Sequence, residues 1–369
     1  MFETKQLIDH VREATYIQTG VDVSRPSQVS IDVTHRCNYR CRMCCLWRSA
    51  DSPELTTSAW LRIIQDLGKW PGPGTKLNIS GGEPLLREDL TEILVRAADM
   101  GLAAGIVTNG SLLDEAKALE LVQAGLFNVN ISLDSLEPAI NDRLRGVRGA
   151  TEKAIAAVDL LLETTARMKS NLAIIVKPIA MAPTLDGLER LVEFAAQRHI
   201  SGVLLQAIIN MEDDDQPGWR EESELWPRDP AHVVRVFDRL ISMKERGYPI
   251  LNSTGHLRSL AQYLVDPSST SEGVCRVGTS NLSIWTDGSV KPLCEFLPGP
   301  RNLGNLTTTT AEAIWKGADA RAARRAILSC HKNCVLTCQR SRSIPEKVAL
   351  YWQLRKATRS RSTEPRREG

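Results

Sequence analysis

The chain has 369 residues, of which 42% are hydrophobic and 24% charged, with a net charge of +2 and a mean hydropathy of −0.20. This composition is ordinary for a soluble globular protein, and the near-zero charge argues against broad attraction to nucleic acid. No apolar run approaches the roughly 18 residues that span a membrane. The N-terminus lacks the apolar core of a signal peptide, so we expect a cytoplasmic protein without a membrane partner.

Six runs bounded by turn residues predict β-strands along the first half of the chain. They are Gln28–Thr34, Lys76–Ser80, Ala103–Thr108, Phe127–Leu133, Leu172–Lys177 and Gly202–Ile208. Amphipathic patterns between them predict the helices Thr57–Leu67, Leu90–Met100, Leu112–Ala124, Thr151–Leu162 and Gly187–Arg198. Alternating strands and helices predict an α/β fold with a parallel sheet. A partial barrel and a doubly wound open sheet both fit this periodicity.

The pattern changes after residue 210. An acidic run, Glu212–Asp215, precedes a predicted helix at Pro230–Lys244. Further on, Leu282–Trp285 and Val290–Leu293 flank an Asp-Gly turn and predict a small hairpin. The tail from Arg355 is basic with almost no apolar residues, and we expect it to be disordered.

Cysteine is the most informative residue type, with nine copies in two groups. Four lie between Cys37 and Cys45, five lie between Cys275 and Cys338, and none lies between the groups. An odd number of cysteines in a long chain without a secretion signal favours metal or redox use over a disulfide framework. The separation of the groups predicts two sites.

The first group has the spacing CxxxCxxC at Cys37, Cys41 and Cys44, directly after the first predicted strand. Three close thiolates suit an iron–sulfur cluster whose fourth iron stays open to another ligand. A zinc site with Cys45 as fourth ligand is the alternative. It would require adjacent residues to reach one ion, so we interpret Cys45 as a packed small side chain.

This spacing after the first strand resembles the signature of the radical S-adenosylmethionine (SAM) enzymes. The resemblance covers roughly residues 29–209 and implies a partial (β/α)6 TIM-like barrel that holds a 4Fe–4S cluster and SAM. It also implies reductive cleavage of SAM to a 5′-deoxyadenosyl radical, which takes a hydrogen atom from substrate. The electron would come from an external donor such as flavodoxin or ferredoxin.

Further motifs extend the resemblance in chain order. Gly81-Gly82-Glu83-Pro84 resembles the family's GGEP motif, in which two glycines let backbone approach a ligand and Glu83 can accept from an ammonium group. Asn109 follows the third strand. In similar enzymes a serine and an arginine hold the SAM carboxylate, which implies this role for Ser132 and Arg145, with Arg143 and Arg148 as neighbouring candidates. Residues 206–208 would contact adenine, and Met43 stands where the family usually has an aromatic residue.

The second cysteine group resembles the auxiliary-cluster extensions called SPASM and twitch. Its members are Cys275, Cys294, Cys330, Cys334 and Cys338. A full SPASM extension has seven cysteines, so five imply one auxiliary 4Fe–4S cluster in a small α+β domain. One thiol would then be spare, and Cys275, Cys330, Cys334 or Cys338 could donate a hydrogen atom to a substrate radical. A zinc ribbon is the alternative.

These features divide the chain into five predicted parts. They are an N-terminal extension (1–27), the barrel (28–210), a linker and helical region (211–270), the auxiliary-cluster domain (271–345) and the basic tail (346–369). About 28 residues precede the first strand, which leaves no room for a leader-peptide-binding domain and favours a small-molecule substrate, such as a sugar or an aminoglycoside. The auxiliary cluster would assist its oxidation. The alternatives are an epimerase or a maturase of a ribosomal peptide that uses a cysteine hydrogen donor, and, in another class, a zinc-binding interaction or nucleic-acid module.

Overall fold

The computed structural model describes residues 2–211, 218–270, 275–294 and 302–332. The strands are β1 (Gln28–Thr34), β2 (Lys76–Gly81), β3 (Ala103–Thr108), β4 (Asn128–Ile131), β5 (Ala173–Val176), β6 (Ile179–Ala180), β7 (Gly202–Val203), β8 (Gln206–Ala207) and β9 (Asn281–Ile284). The helices of the first half are α1 (Phe2–Thr19), α2 (Thr57–Lys69), α3 (Leu90–Asp99), α4 (Glu115–Gln123), α5 (Pro138–Arg145), α6 (Ala150–Arg167) and α7 (Leu188–Gln197). Those of the second half are α8 (Trp219–Glu222), α9 (Pro230–Glu245), α10 (Thr254–Val265), α11 (Val277–Ser280), α12 (Ala311–Trp315) and α13 (Ala318–Leu328).

The main sheet contains seven parallel strands in the order β7-β5-β4-β3-β2-β1-β9. From β1 to β5 each strand lies beside its predecessor, without the reversal of strand order that marks a doubly wound sheet. Helices follow the strands as crossover connections. The architecture is therefore the partial TIM-like barrel, and the sequence-based prediction of this fold class is confirmed.

The last predicted strand of the barrel is interrupted. β7 pairs with β5, whereas β8 pairs with β6 in a separate parallel pair. The predicted run Gly202–Ile208 therefore contains two short strands. The backbone N–H of Ile208 still donates to the carbonyl of Ala180 at 3.1 Å. This edge of the barrel thus extends toward the same end as the cysteine loop.

Alternation along the strands sorts side chains onto two faces. On β1 and β2, Ile31 and Ile79 are fully buried and belong to the hydrophobic core. α2 covers this side with Trp60 and Ile64, and its N-cap Thr56 accepts a hydrogen bond from the backbone of Ala59 at 3.3 Å. The opposite face of both strands carries polar residues, which therefore line the inside of the barrel.

The C-terminal segment shares the barrel sheet. β9 pairs in parallel with β1, residue for residue over the four positions from Gln28 to Ile31. The predicted hairpin turn is present, because Trp285 N–H donates to the Ser289 carbonyl at 2.8 Å and Lys291 N–H donates to Ser283 at 2.8 Å. Its first strand, however, extends the barrel instead of standing apart, which periodicity could not indicate.

The N-terminal helix supports that same segment. Glu13 of α1 is buried and accepts hydrogen bonds from Arg276 and Thr279, both at 3.1 Å. Arg324 of α13 is also buried and donates to Asp22 at 2.6 Å. Elements from both ends of the described chain are thus joined. None of the helices within the described ranges is long and apolar enough to cross a membrane.

Candidate active site

The three cysteines of the first motif lie in the loop that follows β1. Burial raises the pKa of each thiol, and that of Cys44 to about 11, because the neighbouring Cys41 and Cys37 add to the effect of burial. The backbone N–H of Tyr39 points at the sulfur of Cys37 at 3.4 Å. Hydrogen bonds to sulfur are one of the means by which proteins tune iron–sulfur clusters. The three thiols interact electrostatically but are not gathered around a single metal position in the described part of the chain, and their deprotonation calls for a positive partner, as an iron–sulfur cluster supplies.

The GGEP loop packs directly against the cysteine loop. Gly81 has φ +120°, and a Cβ atom on it would clash with the carbonyl of Thr34. A Cβ on Gly82 would clash with the carbonyl of Arg36, while its N–H donates to Thr34 at 2.7 Å. The sequence analysis expected these glycines to let backbone approach a ligand. The close approach in the structure is to the backbone that leads into Cys37.

Glu83 is buried at the junction of three loops. One carboxylate oxygen accepts from the hydroxyl of Thr108 at 2.7 Å and from Leu85 N–H at 3.1 Å, and the other accepts from Asn109 N–H at 2.7 Å. Burial raises the pKa of Glu83 to about 7, although these hydrogen bonds act to lower it. Pro84 follows as the first residue of a short 3-10 helix. All three donors are neutral, so the carboxylate can still accept a cation.

Asn109 joins the third strand to the cysteine loop. Its side-chain amide donates to the side-chain oxygen of Asn38 at 2.9 Å, and Asn38 donates to Ser111 at 2.8 Å. The side-chain oxygen of Asn109 accepts a hydrogen bond from the backbone N–H of Ser111 at 2.9 Å. The predicted site residues after β2 and β3 therefore meet beside Cys37.

Arg145 lies at the end of α5 in a buried ion pair. Its Nη2 atom is 2.7 Å from Oδ2 of Asp134, which has no exposed surface, and Arg145 also contacts the Cys41 thiol. Its Nε is buried without a hydrogen-bond partner within the described part of the chain. Ser132, the other predicted carboxylate ligand, lies directly after β4 and donates from its backbone to Thr108 at 2.9 Å.

The three arginines that compete for this role face different surroundings, and Arg148 is exposed. The side chain of Arg143 is 61% exposed and pairs with Glu224, whereas Arg145 is buried beside the cysteine loop. The backbone of α5 is fixed there, since Arg42 N–H donates to the Leu144 carbonyl at 2.9 Å. A Cβ on Gly146, which has φ +70°, would clash with the Arg40 carbonyl. This packing places Arg145, and not Arg143, against the thiols.

A cavity of about 180 Å³ opens beside Cys44. Met43 and Ile208 line it, together with Trp219 of α8. Met43 and the sixth predicted strand thus meet around one space, where their apolar atoms could contact a flat base. The acidic run Glu212–Asp215 lies outside the described residues.

The structure places three of the five C-terminal cysteines. Cys275, Cys294 and Cys330 are half-buried, and burial and the nearby Cys330 raise the pKa of Cys275. These two are therefore neighbours although 54 positions separate them in the sequence. Cys334 and Cys338 lie outside the described residues.

Sequence reasoning missed the partners of these site residues. It assigned no partner to Arg145 or to Asn109, although Asp134 pairs with the first and Asn38 with the second. Position after a strand was the available signal for both. The pairing itself depends on α5, which the sequence analysis did not predict.

Two family models match the chain. The Radical SAM superfamily model matches residues 31–177, and the SPASM model, an iron–sulfur cluster-binding domain, matches residues 275–339. Both cysteine groups thus fall in iron–sulfur domains, and the zinc alternatives for them have no such support.

Individual relatives match at moderate identity. A PqqA peptide cyclase of Bradyrhizobium diazoefficiens is 34% identical over 170 residues, which are 44% of this chain and 44% of that protein. The chain therefore spans less than half the length of that relative. The pre-heme d1 synthase of Dinoroseobacter shibae is 26% identical over 337 residues, 85% of this chain and 79% of that protein.

A solved structure shares the fold. Streptococcus suis SuiB bound to precursor peptide SuiA superposes with a TM-score of 0.65 at 17% identity, covering 88% of this chain and 72% of that one. The fold, the thiol group after β1 and the two matched models agree, and this chain belongs to the radical SAM superfamily and carries a SPASM iron–sulfur domain after its barrel.

Proposed function

We propose that this radical SAM enzyme abstracts a hydrogen atom from a peptide. The support is the similarity to PqqA peptide cyclase over 170 residues, at 34% identity. The sequence analysis favoured a small molecule, and this relative favours its alternative, a maturase of a ribosomal peptide. A haem-related substrate is a second candidate, because the pre-heme d1 synthase matches 85% of the chain.

When bound, the reduced 4Fe–4S cluster and SAM supply a 5′-deoxyadenosyl radical, and the SPASM domain adds auxiliary iron–sulfur chemistry. Cys37, Cys41 and Cys44 would hold the cluster. We propose that Glu83 accepts from the ammonium group of SAM, and that Arg145, through its unpartnered Nε, donates to the carboxylate together with Ser132. Met43 and residues 206–208 would surround the adenine.

The observation that carries this assignment is the surroundings of Glu83. A carboxylate with only neutral donors, removed from water, gains most from a cation that enters the site. Glu83 lies one loop away from the thiols, because the GGEP loop packs on the backbone before Cys37. A ligand that reaches both must be cationic at one end.

This role of Glu83 predicts that SAM binds more tightly as the pH rises through 7. Below a pKa of about 7 the carboxyl is protonated, and SAM must displace that proton to pair with the carboxylate. Affinity should then fall by up to about tenfold for each pH unit below 7 and level off above it. Equilibrium binding to the cluster-loaded enzyme between pH 5.5 and 7.5, a range in which the α-ammonium group of SAM stays protonated, measures this. A Glu83→Gln variant should bind weakly with a flat profile, and a flat profile in the wild type would contradict the role.

Deuterium transfer tests the substrate class without a known substrate. The cluster-loaded enzyme is incubated with SAM, reductant and the low-mass extract of source cells grown in deuterated medium. Abstraction from a substrate places deuterium in 5′-deoxyadenosine, which mass spectrometry detects. We expect treatment of the extract with a broad protease to remove this deuterium.

The Cys41→Ala enzyme is the control for background exchange. Deuterium transfer that survives the protease would exclude the peptide. If the compound that transfers deuterium is instead found in an extract fraction that absorbs like a porphyrin, the result would support the haem-related candidate.

We also propose that the product is oxidised relative to the substrate, with flavodoxin or ferredoxin as external electron donor. The nearness of Cys275 and Cys330 supports their use as joint cluster ligands, with Cys294 and one of the two later cysteines completing the set of four. The alternative, a cysteine that returns a hydrogen atom in an epimerisation, needs one of these thiols to remain unligated.

A further inference from the structure

A buried ion pair inside the barrel takes no part in the SAM site. Asp32 of β1 is buried on the face opposite Ile31, and Lys291 of the hairpin after β9 places its ammonium 2.9 Å from Oδ2 of Asp32. Ser80, the register partner of Asp32 on β2, donates to the other oxygen at 3.1 Å. Two distant parts of the sequence, 259 positions apart, thus meet through opposite charges.

Each member of the pair leads directly into a cysteine. Asp32 precedes Cys37 by five residues, and Lys291 precedes Cys294 by three. The backbone of Lys291 is fixed as well, since its N–H donates to Ser283 of β9, and β9 is paired with β1. The ion pair therefore links the segment that enters one cluster site with the segment that enters the other.

A second set of contacts joins the turn at Thr286 to the loop that contains Pro53 and Leu55. Leu55 N–H donates to the carbonyl of Thr286 at 2.8 Å, and the Thr286 hydroxyl donates to the carbonyl of Pro53 at 2.8 Å. Between them, Glu54 accepts from Arg36 at 3.2 Å. The turn before Cys294 is thus held both to the inside of the barrel and to the loop beside Cys37.

The charges in this pair are fixed. Burial acts to raise the pKa of Asp32, but the nearby His35 ring and the Lys291 ammonium outweigh it and lower the pKa to about 2. His35 Nε2 lies 3.9 Å from the carboxylate, and its Nδ1 is 3.1 Å from the Ser52 hydroxyl. Asp32 is therefore ionised at any pH at which the enzyme works, and removing one partner changes the net charge at this buried position by one unit.

We propose that the Asp32–Lys291 ion pair is a positioning device, which fixes the Cys294 segment relative to the barrel cluster and sets the charge next to the auxiliary cluster. The proposal rests on the assignment of Cys294 as an auxiliary ligand. Neither residue touches SAM or substrate in this account, so both are positioning residues.

Two isosteric substitutions separate this role from plain structural support. Lys291→Met removes the positive charge and leaves Asp32 negative, so the auxiliary cluster should become harder to reduce. Asp32→Asn leaves Lys291 positive, so the same cluster should become easier to reduce. At the wild-type midpoint potential, the ratio of reduced to oxidised auxiliary cluster should change by about tenfold in opposite directions. A general loosening of the fold would move both variants the same way.

The measurement is a redox titration of the full-length, cluster-loaded enzyme by electron paramagnetic resonance, in which added SAM perturbs only the barrel cluster. The double variant Asp32→Asn/Lys291→Met should return toward the wild-type midpoint while the dipolar coupling between the clusters becomes more heterogeneous. Lys316→Met, which breaks the exposed pair with Glu312, is the matched control and should change nothing. If both clusters are present but their potentials do not change, or if both single variants shift the potential in the same direction, the ion-pair proposal is overturned. The assignment of the auxiliary ligands would then still stand. A wild type with a single cluster would overturn both the ion-pair proposal and the auxiliary-ligand assignment.

Discussion

Replacing Cys41 with alanine is expected to abolish the formation of 5′-deoxyadenosine from SAM. The three thiols lie in one loop after β1, and a cluster that leaves one iron open for SAM needs all three. Cys45, the remaining cysteine of this loop, lies outside the CxxxCxxC spacing and is the N-cap of a 3-10 helix at Leu46–Ser49. Anaerobic incubation of the reconstituted variant with SAM and reductant, followed by chromatography, measures the loss.

Cys45→Ala is the matched control for this experiment. It removes a thiol next to Cys44 without touching the CxxxCxxC motif, so it should retain SAM cleavage within a few-fold of the wild type. Far-ultraviolet circular dichroism should show that both variants keep the barrel. Normal cleavage by the Cys41→Ala protein would refute the assignment of the motif.

Replacing Asp134 with alanine is expected to destabilise the protein by about 3–5 kcal/mol. The change leaves the guanidinium of Arg145 buried without its counter-charge and removes the acceptor for Ile179 N–H, which lies 2.9 Å from the carboxylate. Urea unfolding followed by circular dichroism measures the loss. SAM affinity should fall in parallel, since Arg145 would lose its orientation.

The control is Asp159→Ala, which breaks an ion pair of similar length on the surface. Asp159 and Arg198 approach to 2.8 Å but are 48% and 39% exposed, so their pair should contribute less than about 1 kcal/mol. Equal losses of stability in the two variants would show that the buried ion pair stabilises the protein no more than the exposed one does.

The sequence predicted the part of the fold that local pattern determines. The boundaries of β1 and β3 agree with the prediction to the residue, because their β-branched runs end at turn residues. The CxxxCxxC spacing was visible in the sequence itself, and the GGEP motif was identified by its resemblance to the family's motif. The structure adds the reason for their order: the glycines of one loop must pack on the backbone of the other.

Other features depend on contacts that no local pattern records. α5 was missed because its residues are mostly polar, and two of its three buried members, Asn141 and Arg145, are polar as well, although Pro138 at its first turn was a signal. The place of β9 beside β1 and the Asp32–Lys291 pair each join residues more than 250 positions apart. Hydrophobic periodicity predicts whether an element is a helix or a strand, but it does not predict which other elements pack against it.

The most direct test of two iron–sulfur sites is the iron and acid-labile sulfide content of the purified, reconstituted chain. The wild type should hold about eight irons per chain, in two 4Fe–4S clusters. A variant with alanine at Cys37, Cys41 and Cys44 should retain about four, bound by the cysteines after the barrel. Loss of all iron in that variant, or a wild type that holds only about four irons, would contradict the account.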